Sequence, residues 1–190
     1  MLSSKDLSRI SEEELLRLLQ QEETKEQAFS VLLKRYSPRL YAVIRRIVLF
    51  HEDANDVLQE SLYKIWKNIA LFKGNSRLYT WMHTIATNEA LSHLRSEKYE
   101  RKVPLSTSEY DLAEILMNDP YFDGDNAEAL LHAAIATLPE KQKLVFQYRY
   151  FDELSYNEIS QLTDTSVGAL KADFHHAQKK VKQHIEIESD

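Results

Sequence analysis

The chain has 190 residues, 43% hydrophobic and 28% charged, with a formal net charge of −6. It has no cysteine, which excludes a disulfide framework and a thiolate zinc site and makes an intracellular setting the expectation. Its acidic balance argues against a free-standing, high-affinity DNA binder, because phosphate contacts supply most non-specific affinity.

With only 3 Gly and 4 Pro, the chain is expected to be helical throughout, with few tight turns. The opening stretch, MLSSKDLSRISEEELLRLLQQEE, is too acidic and too interrupted for a signal peptide. Within it, Ser11 and Glu14 form a capping-box pattern ahead of Leu15, Leu16, Leu18 and Leu19, which predicts a first helix. From Ala28 onward, Phe29, Leu32, Leu33, Tyr36, Leu40, Ile44, Ile47 and Val48 recur at helical spacing, with a kink expected at Pro38. Ala54, Val57, Leu58, Ile65, Trp66 and Ile69 predict another amphipathic helix beginning near Asp53. FKGNSRLY, residues 72–79, breaks the pattern and reads as a loop. Trp81, Met82, Ile85, Ala86, Ala90, Leu91 and Leu94 then predict a helix over roughly 80–97. No apolar run approaches the ~20 residues that span a bilayer, so a cytoplasmic protein without direct membrane insertion is expected.

Residues 103–126 lose periodicity and carry Pro104, Pro120, Gly124 and many acids, which reads as a linker with one short helix at 109–117. A structureless loop of that length inside one compact domain would be unusual, so two domains are expected. A helix follows over about 127–136, and Pro139 suits the first turn of the next, continued by Leu144, Val145, Tyr148 and Phe151. Ser155 and Glu158 form a second capping box for SYNEISQLT, and a long helix starts after the short gap Asp164–Ser166. Two helices joined by so tight a turn are the signature of a helix-turn-helix. In the second of them Val167, Leu170, Phe174, Ala177 and Val181 form the buried stripe, leaving Ser166, Ala169, Lys171, Ala172, His175, His176 and Lys179 outward. The expected fold class is therefore all-α, with two small helical domains at 1–102 and 127–190 joined by an acidic linker at 103–126. Charge follows the same division: residues 31–102 carry 13 Lys/Arg against 7 Asp/Glu, whereas 103–137 carry 7 acids and no Lys or Arg.

Three constellations bear on function. Asp53, Asp56 and Glu60, with Gln59 beside them, repeat at helical spacing. Such carboxylates suit a metal site, a solvated face or a surface for a basic protein. The di-iron pattern of Glu-x-x-His pairs is missing, and the flanking Val57, Leu58 and Trp66 favour docking. In the 72–79 loop, Lys73, Asn75 and Arg77 are framed by Phe72, Tyr79 and Trp81. Cations for phosphates and rings for bases suit single-stranded nucleic acid, although the same rings suit a core. His175 and His176 point about 100° apart on a helix and cannot chelate one ion together, which leaves DNA contact or plain surface. No Gly-rich phosphate loop, catalytic Ser/His/Asp order or redox motif is present, so neither an enzyme nor a cofactor or metal is expected.

AFSVLLKRYSPRLYAVIRRI, EDANDVLQESLYKIWKNI, FKGNSRLYTWMHTIATNEALSHLR and LPEKQKLVFQYRYFDELSYNEISQLTDTSVGALKADFHHAQKKV follow one another in that order. Together they resemble the extracytoplasmic-function (ECF) sigma factors, the two-domain members of the bacterial primary sigma family. The resemblance implies an alternative sigma factor that binds core RNA polymerase, recognises −10 and −35 promoter DNA elements and promotes melting. On that reading Asp53, Asp56, Gln59, Glu60 and Trp66 dock on the β′ clamp helices, with the β flap a further polymerase contact. Lys73, Asn75 and Arg77 hold a flipped non-template base, and Asn88, Ser92 and Arg95 face the −10 strand. Ser166, Ala169, Lys171, Ala172, His175, His176 and Lys179 meet the −35 element, and the acidic linker threads toward the RNA exit path. An anti-sigma factor, membrane-anchored in many family members, is the expected controlling partner. The sequence departs from the family in the last helix. Many relatives have Thr-Val-Lys-Ser-Arg where this chain has Ala169, Leu170, Lys171, Ala172 and Asp173, and Arg where it has His176 and Gln178. These losses of positive charge predict weaker phosphate contact. Asp164 stands where the turn often has Gly, and Asp tolerates the left-handed conformation better than most residues. The alternative, a stand-alone helix-turn-helix regulator, leaves the first half of the chain unexplained.

Overall fold

Ser11 starts the first helix, as its spacing predicts: its hydroxyl accepts the Glu14 N–H at 3.1 Å, and α1 runs Glu12–Leu19. Only half of the expected capping box forms, because the Glu14 carboxylate turns to Arg17 at 2.7 Å. The structure, a computed structural model, describes residues 10–74, 76–96 and 109–186. Every element among them is helical. Next come α2 (Glu22–Arg45), which carries Pro38 within one unbroken span, α3 (His51–Asn68) with a 3₁₀ turn at Ile69–Leu71, and α4 (Leu78–Leu94). The predicted apolar stripes meet in one core, where Leu15, Leu19, Leu32, Leu40, Ile44, Ile65, Leu78 and Met82 are fully buried.

The second body begins earlier than the helix-turn-helix. α5 (Glu109–Met117) falls where a short helix is predicted inside the linker, and it packs on α6 (Asn126–Ala136). Leu112, Ala113 and Leu116 share a core with Ala129, Ala133 and Leu49 of the first body, so this part of the acidic segment is fixed by packing. α7 (Glu140–Phe146) was expected to run on through Phe151. It instead widens into a π turn at Gln147–Phe151, a feature frequent at functional sites. The capping box of Ser155 and Glu158 forms in full at the start of α8 (Tyr156–Thr163). Asp164 then takes a left-handed conformation, φ 51°, which turns the chain into α9 (Val167–Glu186).

The most extensive helix-on-helix packing lies within each body, and side chains add to the seam between them. Arg45 pairs with Asp119 and also donates to the Leu49 carbonyl. His51 stacks on Tyr121 with ring centroids 3.6 Å apart, and Arg46 lies over Phe151 at 4.5 Å. At the centre His83 Nε2 meets Asp152 Oδ2 at 2.9 Å while its Nδ1 faces the Thr87 hydroxyl at 3.3 Å. Tyr148, only 1% exposed, comes from the π turn to lie beside Thr84 and Thr87 of α4. Apolar contacts of Leu49 with the α5–α6 core and of Leu144 with the first core add to these polar and aromatic ones.

Candidate nucleic-acid interface

On α3 Asp56, Gln59 and Glu60 point outward, joined by Tyr63, which is 51% exposed. Asp53 is not among them. It is fully buried, because the end of α4 brings His93 across the start of α3, with Nε2 at 3.8 Å from Asp53 Oδ1. Trp66 is half-buried, edge-on to Phe29 at 4.9 Å and covered by Lys25 at 4.3 Å. The five residues expected to dock together therefore divide into an exposed acidic group and two that are partly or wholly packed inside. Among the described residues no group of three or more His, Asp or Glu is arranged to hold a metal.

The loop after α3 is held at both roots. Phe72, 8% exposed, packs on Trp81 at 5.2 Å, and Leu78 is fully buried. Between them Gly74 takes φ +73°, which favours glycine, and Lys73 and Arg77 stand exposed. Asn75 lies outside the described residues. The framing aromatics serve the core as well as the surface: Tyr79 stacks on Tyr36 at 6.1 Å and carries Arg39 over its other side at 4.0 Å.

Asn88, Ser92 and Arg95 are exposed at spacings of four and three, so they share one face at the end of α4. Two open grooves flank this face. Asn88 borders one with Lys64, Leu71, Trp81 and Ile85, and Ser92 borders the other with Asp56 and Glu60. The second groove runs from the acidic group of α3 to the outer face of α4, so the surfaces predicted for protein and for DNA are contiguous.

On α9 all seven predicted outward residues are exposed, with Leu170, Ala177 and Val181 buried beneath them. The Ser166 hydroxyl accepts the Ala169 N–H at 3.3 Å and caps the helix. His175 and His176 hold their rings 6.0 Å apart at 62°, splayed as adjacent helical residues must be. At the start of α8, hydrogen bonds from Ser155 hold the Glu158 carboxyl below its ordinary range, and the nearby charge of Arg77 adds to this.

Sequence reasoning passed over the seam residues His83 and Asp152, and read Tyr148 only as a position continuing a helix. His83 carried a usable signal, since Tyr79, His83 and Thr87 repeat every four residues along the inner side of α4. Asp152 carried none, because only folding brings its loop to α4.

The sequence matches the family model Sigma-70 region 2 over residues 32–99 and Sigma-70, region 4 over residues 128–181. The chain belongs to the sigma-70 family, as an ECF sigma factor. It is 29% identical to the RNA polymerase sigma-H factor of Pseudomonas aeruginosa over 175 residues, which cover 84% of this chain and 86% of the relative. It is 28% identical to the ECF RNA polymerase sigma-E factor of Haemophilus influenzae over 185 residues, 93% of this chain and 96% of the relative. Two solved structures share its fold. One is the sigma factor RpoE in complex with the anti-sigma factor NepR from Bartonella quintana, with a TM-score of 0.63, 21% identity and coverage of 84% of this chain and 98% of that one. The other is CnrH in complex with the cytosolic domain of CnrY, with a TM-score of 0.62, 16% identity and coverage of 96% and 99%. A sigma factor is a transcription-initiation factor, and the three exposed surfaces of this sigma factor lie within its matched segments: α3 and α4 in region 2, α9 in region 4. No helix among its described residues is long and apolar enough to cross a membrane.

Proposed function

We propose that this sigma factor binds core RNA polymerase through the exposed Asp56, Gln59 and Glu60 of α3 and reads a two-part promoter through α4 and α9. The observation that carries this reading is the pairing, in one chain, of a region 2 body and a region 4 body with an outward polar surface on each. Residues 1–102 serve as the domain for core polymerase and the −10 element, 127–190 as the domain for the −35 element, and 103–126 join them, with α5 of this segment packed on α6 in the free chain. Lys73 and Arg77, with Asn75, take the flipped base, and Asn88, Ser92 and Arg95 meet the melted strand. Base flipping costs a few kcal/mol, which stacking and hydrogen bonds in the bound state must offset. The chain works in the cytoplasm by binding and takes no catalytic step. Its acidic charge suits this role, since tethering to polymerase makes weak promoter contacts intramolecular. An anti-sigma factor is the expected regulator, as NepR is the partner in the RpoE complex whose fold it shares.

Run-off transcription with core polymerase tests the reading. Specific initiation should require both components, and tight duplex binding by the chain alone would favour a stand-alone regulator. Asp56→Ala with Glu60→Ala should abolish binding to core while leaving helical content intact. Unchanged affinity for core refutes the docking assignment.

A further inference from the structure

α4 begins directly at the root of the 72–77 loop, and its own N-cap residue cannot cap it. Arg77 has a side chain that only donates, and it makes no capping bond. The orphan N–H of Leu78 is taken instead by Glu12, 66 positions earlier in the chain, whose Oε1 accepts it at 3.1 Å. The second oxygen of the same carboxylate accepts the Tyr36 hydroxyl at 3.2 Å. Glu12 thus joins α1, α2 and the start of α4 through one side chain. Its placement is itself held, because Arg35 of α2 donates to the Ile10 carbonyl at 2.9 Å just before α1 begins. A carboxylate at a helix N-terminus is further stabilised by the helix dipole.

From this geometry we propose that Glu12 is a positioning residue for single-strand capture: it holds the loop that bears Lys73 and Arg77 in register for an unstacked base. The inference rests on the promoter role assigned above to that loop. Phe72 anchors one root by packing on Trp81, and Glu12 anchors the other by capping Leu78. A loop fixed at both ends spends less ordering entropy on binding, and its cations stand at a set distance from the strand. Glu12 does not act by touching DNA, because a carboxylate repels phosphate. It also occupies the α4 N-terminus, which would otherwise attract an anion.

The test uses the full chain assembled with core polymerase and a pool of single-stranded DNA oligonucleotides with a randomised window. Wild-type holoenzyme should enrich particular bases at the captured position. Glu12→Ala should lower affinity for the enriched sequence about five-fold, in line with loss of a helix cap, and should flatten the base preference. Core binding should stay close to wild type, and the thermal transition of the free chain should fall by only about 2–4 °C, as loss of one cap predicts. Glu12→Gln, which keeps an acceptor for the Leu78 N–H, should restore most of the preference. Tyr36→Phe removes only the second bond and should fall between them, which keeps the idea testable if Glu12→Ala folds poorly. An undiminished base preference in Glu12→Ala, or a rise in DNA affinity from the vacated helix terminus, overturns the proposal. Lys73→Ala and Arg77→Ala serve as controls for the parent reading. If neither changes oligonucleotide binding, the loop assignment fails independently of Glu12.

Discussion

His132 lies between the rings of Phe122 and Phe151 and faces Arg45 and Arg46 from the first body. Burial, then the positive charges of Arg46 and Arg45, push its imidazole down to about 4. The folded chain therefore resists protonation that the unfolded chain accepts near its ordinary 6.5. Between pH 6.5 and about 4 the unfolded state binds more protons, so stability falls as pH falls through this window. The whole difference corresponds to roughly 3 kcal/mol as an upper bound. His132→Leu should flatten the urea-denaturation midpoint between pH 6.5 and 4.5, and an equally steep slope in the variant would refute the assignment. Lys143 shows the same physics in another place. Burial pushes its ammonium down to about 8, yet its Nζ donates to the Ala136 carbonyl at 2.8 Å and so closes the C-terminal end of α6.

At the scale of elements, α9 presents a surface whose charge can be tested directly. Its first turns are lined by small residues, Lys171 and two histidines, with Asp173 half-exposed among them, and Lys179, Lys180 and Lys182 stand exposed further along. Small side chains permit close approach to DNA but add no charge. Lys171 lies 5.8 Å from the Tyr156 ring of α8 and remains exposed. Lys171→Ala should weaken −35 binding by the holoenzyme and make log K against log salt shallower by about 0.9 if it meets one phosphate. An unchanged slope would place Lys171 away from the backbone. Replacing His175 and His176 together by Ala should likewise reduce promoter binding, and unchanged binding would return both to plain surface. The periodicity of α9 made its two faces legible in sequence, since the stripe from Leu170 to Val181 needs no partner to be seen. On α3 the same reasoning failed at Asp53. Spacing alone cannot say that the end of α4 covers that turn and leaves the one bearing Asp56 and Glu60 open.

Across the whole molecule the seam sets the distance between the outward surfaces of α4 and α9. Its polar pairs are mostly shielded from water: the ion pair of Arg45 and Asp119 keeps 12% and 14% of side-chain exposure, and the contact of His83 with Asp152 keeps 5% and 14%. Removing one member of such a pair strands the other without its counter-group, which is strongly unfavourable. The exposed contact of Arg95 with Glu140 at 3.6 Å contributes little beside them. Because the chain has no cysteine, dyes can be placed by single substitutions, for instance Glu26→Cys and Gln178→Cys. Energy transfer between them should drop in the variant carrying Asp119→Asn and Asp152→Asn. Core polymerase should lower it in the unaltered chain as the tether is drawn away from the first body. Transfer that is unchanged in both cases would mean that these pairs do not hold the two bodies together.

Local patterns in the sequence determined most of the helices, the Ser11 and Ser155 caps, the all-α class and the family. Each depends on residues close in the chain: apolar spacing, Ser–Glu boxes, and an Asp where the turn needs a left-handed residue. Tertiary structure alone decided which acid of α3 is buried, that α5 belongs to the packed core, and that α7 widens at Tyr148. It also decided that Glu12 caps a helix 66 positions away and that Asp152 faces His83. These are meetings of polar groups distant in sequence, and no periodicity encodes them. A buried donor or acceptor must find a partner, but only the folded chain determines which one is within reach.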